Sequence, residues 1–138
     1  LLKPGGYFEI TETEINFSDC GPNFTRMMNI FVNELEVSDE FVLNLERIFL
    51  ATGQLTNIQQ EKRVTKLGPS GGFTGELYLS FAEEFFNGSI GELVGELMAM
   101  SQKEYKQFWQ QCKTECIELG TGVPIKRVWG QKKYHMEN

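Results

Sequence analysis

The segment Lys3-Pro4-Gly5-Gly6 constrains the fold of this chain more than any other feature of the sequence. Pro4 has no backbone N–H, and its ring moves the preceding lysine out of the helical region of φ/ψ space. The two glycines tolerate positive φ, so the backbone can reverse tightly. Leu1 and Leu2 fit the last apolar positions of a helix. The segment therefore predicts a helix–turn–strand junction.

Strands are predicted at residues 7–13, 55–67 and 123–131. Residues 55–67 alternate poorly, and their assignment as a strand depends in part on the family resemblance given below. In the first, Phe8 and Ile10 point to one face and the residues between them point to the other. In the second, Ile58 and Val64 are the best candidates for inward-facing residues. Helical segments separate the strands, which favours an α/β sheet with helices covering its faces.

Five helical segments are predicted from apolar residues at spacings of three and four. Two lie between the first and second strands, and the second of these begins at an N-cap, Ser38. Three lie within residues 76–119, and the last two begin at capping boxes with Ser89 and Ser101 as caps. The apolar residues predicted to face the core are Phe24, Met27, Met28, Phe31, Val32, Leu35, Phe41, Leu45, Ile48, Phe49, Leu77, Phe81, Phe85, Ile90, Leu93, Val94, Leu97, Tyr105, Phe108, Trp109, Cys112, Cys116 and Leu119.

Two segments carry a resemblance to a known family. Leu1-Leu2-Lys3-Pro4-Gly5-Gly6-Tyr7, followed by Phe8-Glu9-Ile10, resembles the turn into the fifth strand of class I S-adenosylmethionine-dependent methyltransferases. Val128-Trp129-Gly130-Gln131-Lys132-Lys133 resembles the last strand of a fungal subgroup that includes regulators of secondary metabolism. Their spacing also fits, so the resemblance identifies residues 1–138 as the C-terminal portion of one methyltransferase domain. The acidic, glycine-rich loop that holds the cofactor in that family is not among these residues.

The resemblance implies a partial Rossmann-like methyltransferase fold in which three strands remain. In that family the last strand inserts beside the fifth, so the implied order is 7–13, 123–131, 55–67. The outer edge of residues 7–13 is then expected to pair with a strand outside this chain. Unpaired buried backbone groups cost about 1–3 kcal/mol each, against a typical stability of about 5–15 kcal/mol. We therefore expect the isolated chain to be marginally stable or to self-associate through this open sheet edge.

The resemblance also implies a function, methyl transfer from S-adenosylmethionine to a small-molecule or protein acceptor. The chain would supply the acceptor side and a helical insert over residues 76–119, while the rest of the parent protein holds the cofactor. We expect no cofactor-binding or metal-binding residue in the chain, and no activity from it alone. Two alternatives stay open. One is a non-catalytic, methyltransferase-like regulatory or interaction module; the other is another Rossmann-type enzyme, such as a nicotinamide dehydrogenase.

Candidate acceptor-binding residues lie where the first strand ends, because ligands of open α/β sheets bind beyond the carboxyl ends of the strands. Glu12, Thr13 and Glu14 occupy this position. Glu12 is the candidate to orient an acceptor hydroxyl or amine, or to take its proton; a solvated acidic loop is the alternative. Phe73 and Tyr78, in and just after a glycine-rich segment, are further substrate-binding candidates. No residue is assigned a catalytic role.

The glycine-rich segment Gly68–Gly75 lacks the Gly-Lys-Ser/Thr ending of a phosphate-binding loop, so that interpretation is rejected. A plain connector and a lid over an acceptor pocket are the two interpretations left. Cys112 and Cys116 lie four apart on one helix without a second pair of ligands, so we predict core packing rather than zinc binding. Trp129 is also predicted to be a core residue.

Composition restricts the classes of partner. A net charge of −6 argues against a nucleic-acid partner, since such proteins carry an extended positive field. No apolar run approaches the ~20 residues of a membrane-spanning helix. Three cysteines do not form a disulfide framework and favour an intracellular location, in the cytoplasm or nucleus. The basic residues near the end of the chain fit the solvated face of a terminal strand, and they are Lys126, Arg127, Lys132, Lys133 and His135.

Overall fold

The computed structural model describes residues 2–134. Leu1 and His135, which enter two of the sequence interpretations above, lie outside the described residues. The described chain divides into two compact units. The first contains residues 2–15, 39–64 and 124–134, and the second contains residues 16–38 and 65–123.

The first unit is built on a mixed α/β arrangement with one three-stranded antiparallel sheet. Its strands are β1 (Tyr7–Thr13), β2 (Leu55–Lys66) and β3 (Gly122–Lys132). Their order is β1-β3-β2, and β3 runs antiparallel to β1 with Ile10 opposite Val128. The predicted strand order is confirmed, and the predicted strand bounds are correct to within one residue.

The helices of the described residues alternate with these strands in the chain. Their bounds are α1 (Pro22–Glu34), α2 (Glu40–Leu43), α3 (Leu45–Ala51), α4 (Gly72–Glu83), α5 (Gly91–Leu97) and α6 (Gln102–Leu119). A 3₁₀ turn at Pro69–Gly71 precedes α4, and a π-helical turn at Glu84–Ser89 follows it. No helix among the described residues is long and apolar enough to cross a membrane.

The core of the first unit joins two short helices to one face of the sheet. Val42, Leu45 and Phe49 from α2 and α3 cluster with Val128 from β3, and Ile10, Leu55 and Ile58 pack against them. The prediction of one continuous helix here was wrong, because the backbone leaves the helical conformation at Asn44 (φ −107°, ψ 10°). The break rotates the apolar stripe, which leaves Phe41 and Ile48 exposed.

Two strand residues are less buried than predicted. Val64 is 58% exposed near the end of the edge strand β2. The half-buried positions of this strand are 55, 58, 61 and 65, so period-two alternation does not apply. Trp129 is half-buried on the sheet face opposite the core, because its neighbour Val128 takes the inward position.

The core of the second unit is mainly aromatic. Phe24, Phe31 and Trp109 pack around Phe86 with ring centroids 5.5 to 6.1 Å apart. Tyr105 joins them by donating its hydroxyl hydrogen to the Phe86 carbonyl oxygen over 2.5 Å. The predicted inward stripe of α6 is confirmed for Tyr105, Phe108, Trp109, Cys112 and Cys116. Leu119 was wrongly included and is 52% exposed, since it lies in the last turn before the helix ends.

Helix ends in the second unit follow local chemistry in some places and tertiary contacts in others. Ser101 Oγ accepts the Glu104 backbone N–H over 3.1 Å, so the predicted cap of α6 is confirmed. The predicted cap at Ser89 is wrong, because this residue belongs to the π-helical turn and α5 begins at Gly91. Helix α1 has glycine at its cap, and Glu115 of α6 instead accepts the N–H groups of Asn23 and Phe24 over 3.1 and 3.0 Å.

In the first unit, the predicted cap at Ser38 lies one residue too early. Helix α2 begins at Glu40, and Asp39 occupies the cap position. The Asp39 side chain makes no cap bond; its carboxylate accepts the N–H of Ile15 over 3.2 Å instead. A tertiary contact with the end of β1 has therefore replaced the local cap.

Candidate functional site

The three polar residues that were predicted to lie at the end of β1 differ in exposure and in their partners. Glu14 is only 5% exposed and forms an ion pair with Lys62, whose Nζ lies 2.8 Å from Oε2. Glu12 and Thr13 are exposed. Because Glu14 is buried against a lysine, its role is to hold β1 to β2. Of the two glutamates, Glu12 is the one whose carboxylate is open to a ligand.

Backbone hydrogen bonds fix the position of this strand end. The Glu14 N–H donates to the Pro124 carbonyl oxygen over 2.9 Å, and the next N–H, of Ile15, is the one that Asp39 accepts. In the β1–β3 register, Glu12 lies opposite Lys126. The Lys126 ammonium donates to the Leu43 carbonyl oxygen over 3.2 Å. No ion pair involves Glu12 within residues 2–134, so its exposed carboxylate is open to a ligand.

The sheet face opposite the core carries a charged network around Arg127. Its guanidinium lies 2.7 Å from the Glu9 carboxylate, 3.7 Å from the Glu61 carboxylate and 4.7 Å from the centre of the Trp129 ring. The hydrogen bond from Arg127 lowers the pKa of Glu9 below its ordinary value. The ion pair joins Glu9 of β1 to Arg127 of β3, so the network links these two strands.

The basic residues near the end of β3 are engaged with the chain itself. Lys132 Nζ donates to the Leu2 carbonyl oxygen over 2.7 Å. Lys133 donates its backbone N–H to the Gln54 carbonyl oxygen over 2.9 Å. The side chains of Lys126, Arg127 and Lys132 therefore stabilise the sheet and its turn, whereas Lys133 contributes through its backbone and its side chain is exposed.

In the second unit, Phe73 lies on the same helix as Tyr78 and not on a loop. The prediction that Gly68–Gly75 is a loop was wrong for its last residues, because α4 begins at Gly72. Gly71 and Gly75 lie so close to the Lys66 carbonyl oxygen that a Cβ on either would collide with it. The glycines therefore permit close packing of α4 against the end of β2. Phe73 is 82% exposed in the first turn of α4.

Helix α4 and the π-helical turn after it carry an exposed apolar stripe. Phe73, Leu77, Phe81 and Phe85 recur every four residues and are between 39% and 82% exposed. The last three of these residues were predicted to face the core. The buried residues of this segment are instead Gly75, Leu79 and Phe86. Apolar residues occupy both faces of the helix, so spacing alone could not select the inward one. Tyr78 is half-buried beside the stripe, with its ring edge-to-face against Phe81 at 6.2 Å.

In helix α5 too, residues that were predicted to face the core are exposed. Leu93 and Leu97, predicted to be inward, are 46% and 41% exposed. Gly91 and Gly95 face inward in their place, because the Tyr105 ring packs against them; a Cβ on Gly95 would lie 3.3 Å from the Tyr105 Cβ. Small residues therefore mark the packed face of α5 better than large ones do.

A cleft of about 350 Å³ lies beside α5, and the sequence patterns did not predict it. Its residues are Asn87, Gly88, Gly91, Glu92, Gly95, Glu96, Met100, Ser101, Gln102, Tyr105 and Lys106. Asn87 Oδ1 is buried without a hydrogen-bond partner among residues 2–134. The pair of glycines four residues apart is the sequence signal that could have indicated this cleft.

The cysteines lack the features of reactive or metal-binding thiols. Cys112 and Cys116 are fully buried, as predicted, and burial raises the pKa of each thiol to about 12. Burial also raises the pKa of Cys20, whose Sγ lies 3.5 Å from the Phe17 carbonyl oxygen. Among the described residues, no group of three or more His, Cys, Asp or Glu residues could hold a metal ion.

Comparison with known proteins found no matching family model and no matching curated protein. The functional argument therefore depends on the residues of this chain and on their arrangement.

Proposed function

We propose that this chain is the acceptor-side portion of a class I S-adenosylmethionine-dependent methyltransferase with a Rossmann-like fold. The observation that supports this most is the contact between the two segments that carry the resemblance. Gly5 donates its N–H to the Lys132 carbonyl oxygen over 2.9 Å, and the Lys132 N–H donates to the Gly6 carbonyl oxygen over 2.8 Å. The turn at one end of the sequence and the strand at the other thus form one hydrogen-bonded unit.

The geometry of the turn and the strand order add to this support. Gly5 has φ +80°, a conformation that glycine adopts at little cost. Gln131 Nε2 donates to the Gly5 carbonyl oxygen over 2.9 Å. The order β1-β3-β2, with the last strand between the other two, is the order that the resemblance implies.

The chemistry asks little of the acceptor side beyond orientation and a dry site. S-adenosylmethionine supplies a methyl group already activated on a sulfonium. Glu12, exposed at the end of β1 and held by the bonds around Glu14, is suited to orient an acceptor hydroxyl or amine and to take its proton. Phe73 and Tyr78 belong to the second unit, so the proposed acceptor contact rests on Glu12. The acceptor is a small molecule or a protein. The free thiols of the chain favour the cytoplasm or nucleus as the location of the protein.

Replacing Glu12 tests this role in the polypeptide encoded by the whole open reading frame. Transfer of a labelled methyl group from S-adenosylmethionine into a cell extract supplies the assay. Glu12→Gln is expected to lower kcat by about a hundredfold, because a positioned proton acceptor contributes at least that much. The KM for S-adenosylmethionine should not change. Glu118→Gln, which replaces an exposed carboxylate on α6, is the matched control. Equal rates for the two variants would contradict the role of Glu12.

A non-catalytic interaction module is the second candidate function. The exposed stripe of α4 favours it, since contiguous apolar surface often marks a protein-binding site. The polypeptide upstream of β1 separates the two candidates. An intact Glu/Asp-x-Gly-x-Gly loop after a predicted strand favours the enzyme, whereas a degraded loop favours the module.

A further inference from the structure

The cleft beside α5 is built from one continuous segment of the chain. All of its lining residues lie between Asn87 and Lys106, inside the second compact unit. Helix α5 forms one wall, and the N-terminal part of α6 forms the other. Its volume of about 350 Å³ falls at the lower end of the range of small-molecule sites. The cleft therefore suits a ligand about as large as an amino acid.

The buried lining residues form an apolar floor. Gly91, Gly95 and Tyr105 are buried and line the cleft. A Cβ on Gly91 would lie 3.2 Å from Tyr105 Cε1, so the ring packs directly on the α5 backbone. The Tyr105 hydroxyl already donates to the Phe86 carbonyl oxygen, so the ring offers its apolar part to the cleft. Methylene groups of a ligand can pack against this floor.

Charged side chains of opposite sign belong to the two walls. Glu92 and Glu96 lie one helical turn apart on α5, and Lys106 lies on α6. All three are exposed and line the cleft. None of them forms an ion pair within residues 2–134. The walls therefore offer two carboxylates and one ammonium group to a ligand.

The N-terminus of α6 adds positive charge to its wall. The helix begins at Gln102, which also lines the cleft. Free N–H groups in the first turn give a helix N-terminus a partial positive charge. Side chains of a helix lean towards its N-terminus, so Lys106 leans over the turn that begins at Gln102. A carboxylate bound on this wall would be attracted by both.

Asn87 supplies an unused acceptor to the same cleft. It lies in the π-helical turn, an element that is frequent at functional sites. Its Oδ1 is buried without a hydrogen-bond partner among residues 2–134, which is rare for a side-chain oxygen. The χ2 torsion of asparagine is broad, so the amide can turn and offer Oδ1 to an ammonium group in the cleft.

We propose that this cleft binds a small zwitterion, in which a short apolar chain joins one ammonium and one carboxylate group. Glu92 and Glu96 bind the ammonium together with Asn87, and Lys106 binds the carboxylate. The apolar chain packs against Tyr105. A ligand with two ammonium groups would place one beside the lysine, and a ligand with two carboxylates would place one beside the glutamates. Like charges repel, so a zwitterion is the class that both walls favour.

Three unbranched probes with the same number of carbon atoms test the ligand class. They are aminocaproate, adipate and hexamethylenediamine, each titrated into the isotope-labelled polypeptide encoded by the whole open reading frame. Nuclear magnetic resonance follows the amide signals of Gly91 and Gly95, which should shift, and of Gly53 in the first unit, which should not. Aminocaproate is expected to bind about three- to tenfold more tightly than either other probe, since only it pairs with both walls.

Charge-neutral variants should change the probes in opposite ways. Glu92→Gln together with Glu96→Gln is expected to weaken aminocaproate and hexamethylenediamine about three- to tenfold, and to leave adipate no weaker. Lys106→Gln is expected to weaken aminocaproate and adipate about two- to fivefold, and to leave hexamethylenediamine no weaker. A loss of equal size for all three probes would contradict the assignment of one charge to each wall.

Matched control variants lie outside the cleft. Glu76→Gln together with Glu84→Gln removes two exposed carboxylates, and Lys103→Gln removes an exposed ammonium group near Lys106. These variants should bind all three probes like the original polypeptide. Control variants that weaken binding as much as the cleft variants would show that net charge, and not the cleft, attracts the probes.

Three results would overturn the proposal outright. One is binding of none of the probes, as expected if another part of the parent polypeptide fills the cleft. Another is adipate or hexamethylenediamine binding as tightly as aminocaproate, because one wall alone would then recognise the ligand. The third is a set of shifts that leaves Gly91 and Gly95 unmoved. The inference does not depend on methyl transfer, so none of these results bears on the role of Glu12.

Discussion

Phe86→Ala is expected to lower the free energy of unfolding by about 3–5 kcal/mol, the usual cost of removing a buried phenylalanine ring. Phe86 is 5% exposed. Four aromatic rings surround it at centroid distances of 5.0 to 6.1 Å, and they belong to Phe24, Phe31, Phe85 and Trp109. Its removal leaves a cavity lined by large, rigid groups that cannot collapse to fill it.

Phe81→Ala is the matched control for this prediction. Phe81 has the same side chain and lies five residues earlier, but it is 52% exposed. Its replacement should cost less than about 1 kcal/mol, since substitutions at exposed positions have small effects. Urea denaturation of both variants measures the difference. Losses of equal size, or a larger loss for Phe81→Ala, would mean that α4 faces the other way.

Alkaline unfolding is the second large effect that we expect. Burial raises the pKa of Tyr105, Cys112 and Cys116 to about 12 each, from ordinary values of 10.0, 9.0 and 9.0. In the unfolded chain these groups ionise near their ordinary values, while the folded chain keeps them protonated. Stability from the three groups is therefore complete below pH 9 and is lost as the pH rises towards 12.

The expected loss is a large fraction of the stability of the chain. Each unit of pKa difference corresponds to about 1.4 kcal/mol, so three such groups together contribute several kcal/mol. A typical domain has about 5–15 kcal/mol in total. Urea denaturation can be measured at intervals of about one pH unit, from about pH 8 to about pH 11. The free energy of unfolding should fall with increasing steepness over this range.

Removing one of the buried thiols isolates its contribution. Cys112→Ala should be less stable than the original chain at pH 8, because it leaves a cavity. It should also lose less stability between pH 8 and 11, since one of the three raised pKa values is gone. A pH dependence identical to that of the original chain would show that Cys112 ionises as easily in the folded state as in the unfolded state.

Local signals predicted β1 and β3, whereas β2 alternates poorly and was predicted partly from the resemblance. The breakers around Pro4 mark the start of β1, and alternation marks its faces. The order β1-β3-β2 came from the resemblance, since no local pattern says which strands pair. The break at Asn44 was missed because the apolar spacing continues across it in sequence while the backbone geometry does not.

The helices of the second unit show where local patterns fail. The spacing of Phe73, Leu77 and Phe81 is as regular as that of Gly75 and Leu79, and which face is buried depends on packing against distant residues. Glycine carries no hydrophobic signal, yet Gly91 and Gly95 form the packed face of α5 because they admit Tyr105. Tertiary packing thus overrode propensity at α4 and α5.

The candidate site was predictable in part. The position of the acidic residues at the end of β1 follows from the strand rule, but the difference between Glu12 and Glu14 does not. It depends on Lys62, which lies 48 positions away in the sequence and 2.8 Å away in the fold. The cleft beside α5 is lined in part by Asn87 and Gly88 of the π-helical turn, a rare element that the apolar spacing did not predict.

Calorimetric titration with S-adenosylmethionine tests the central proposal most directly. We expect micromolar binding by the polypeptide encoded by the whole open reading frame, because the proposed function assigns the cofactor site to residues outside these 138. The 138-residue chain alone should give no measurable heat of binding. Tight binding by this chain would show that its own residues hold the cofactor, and no binding by the whole polypeptide would contradict a methyltransferase.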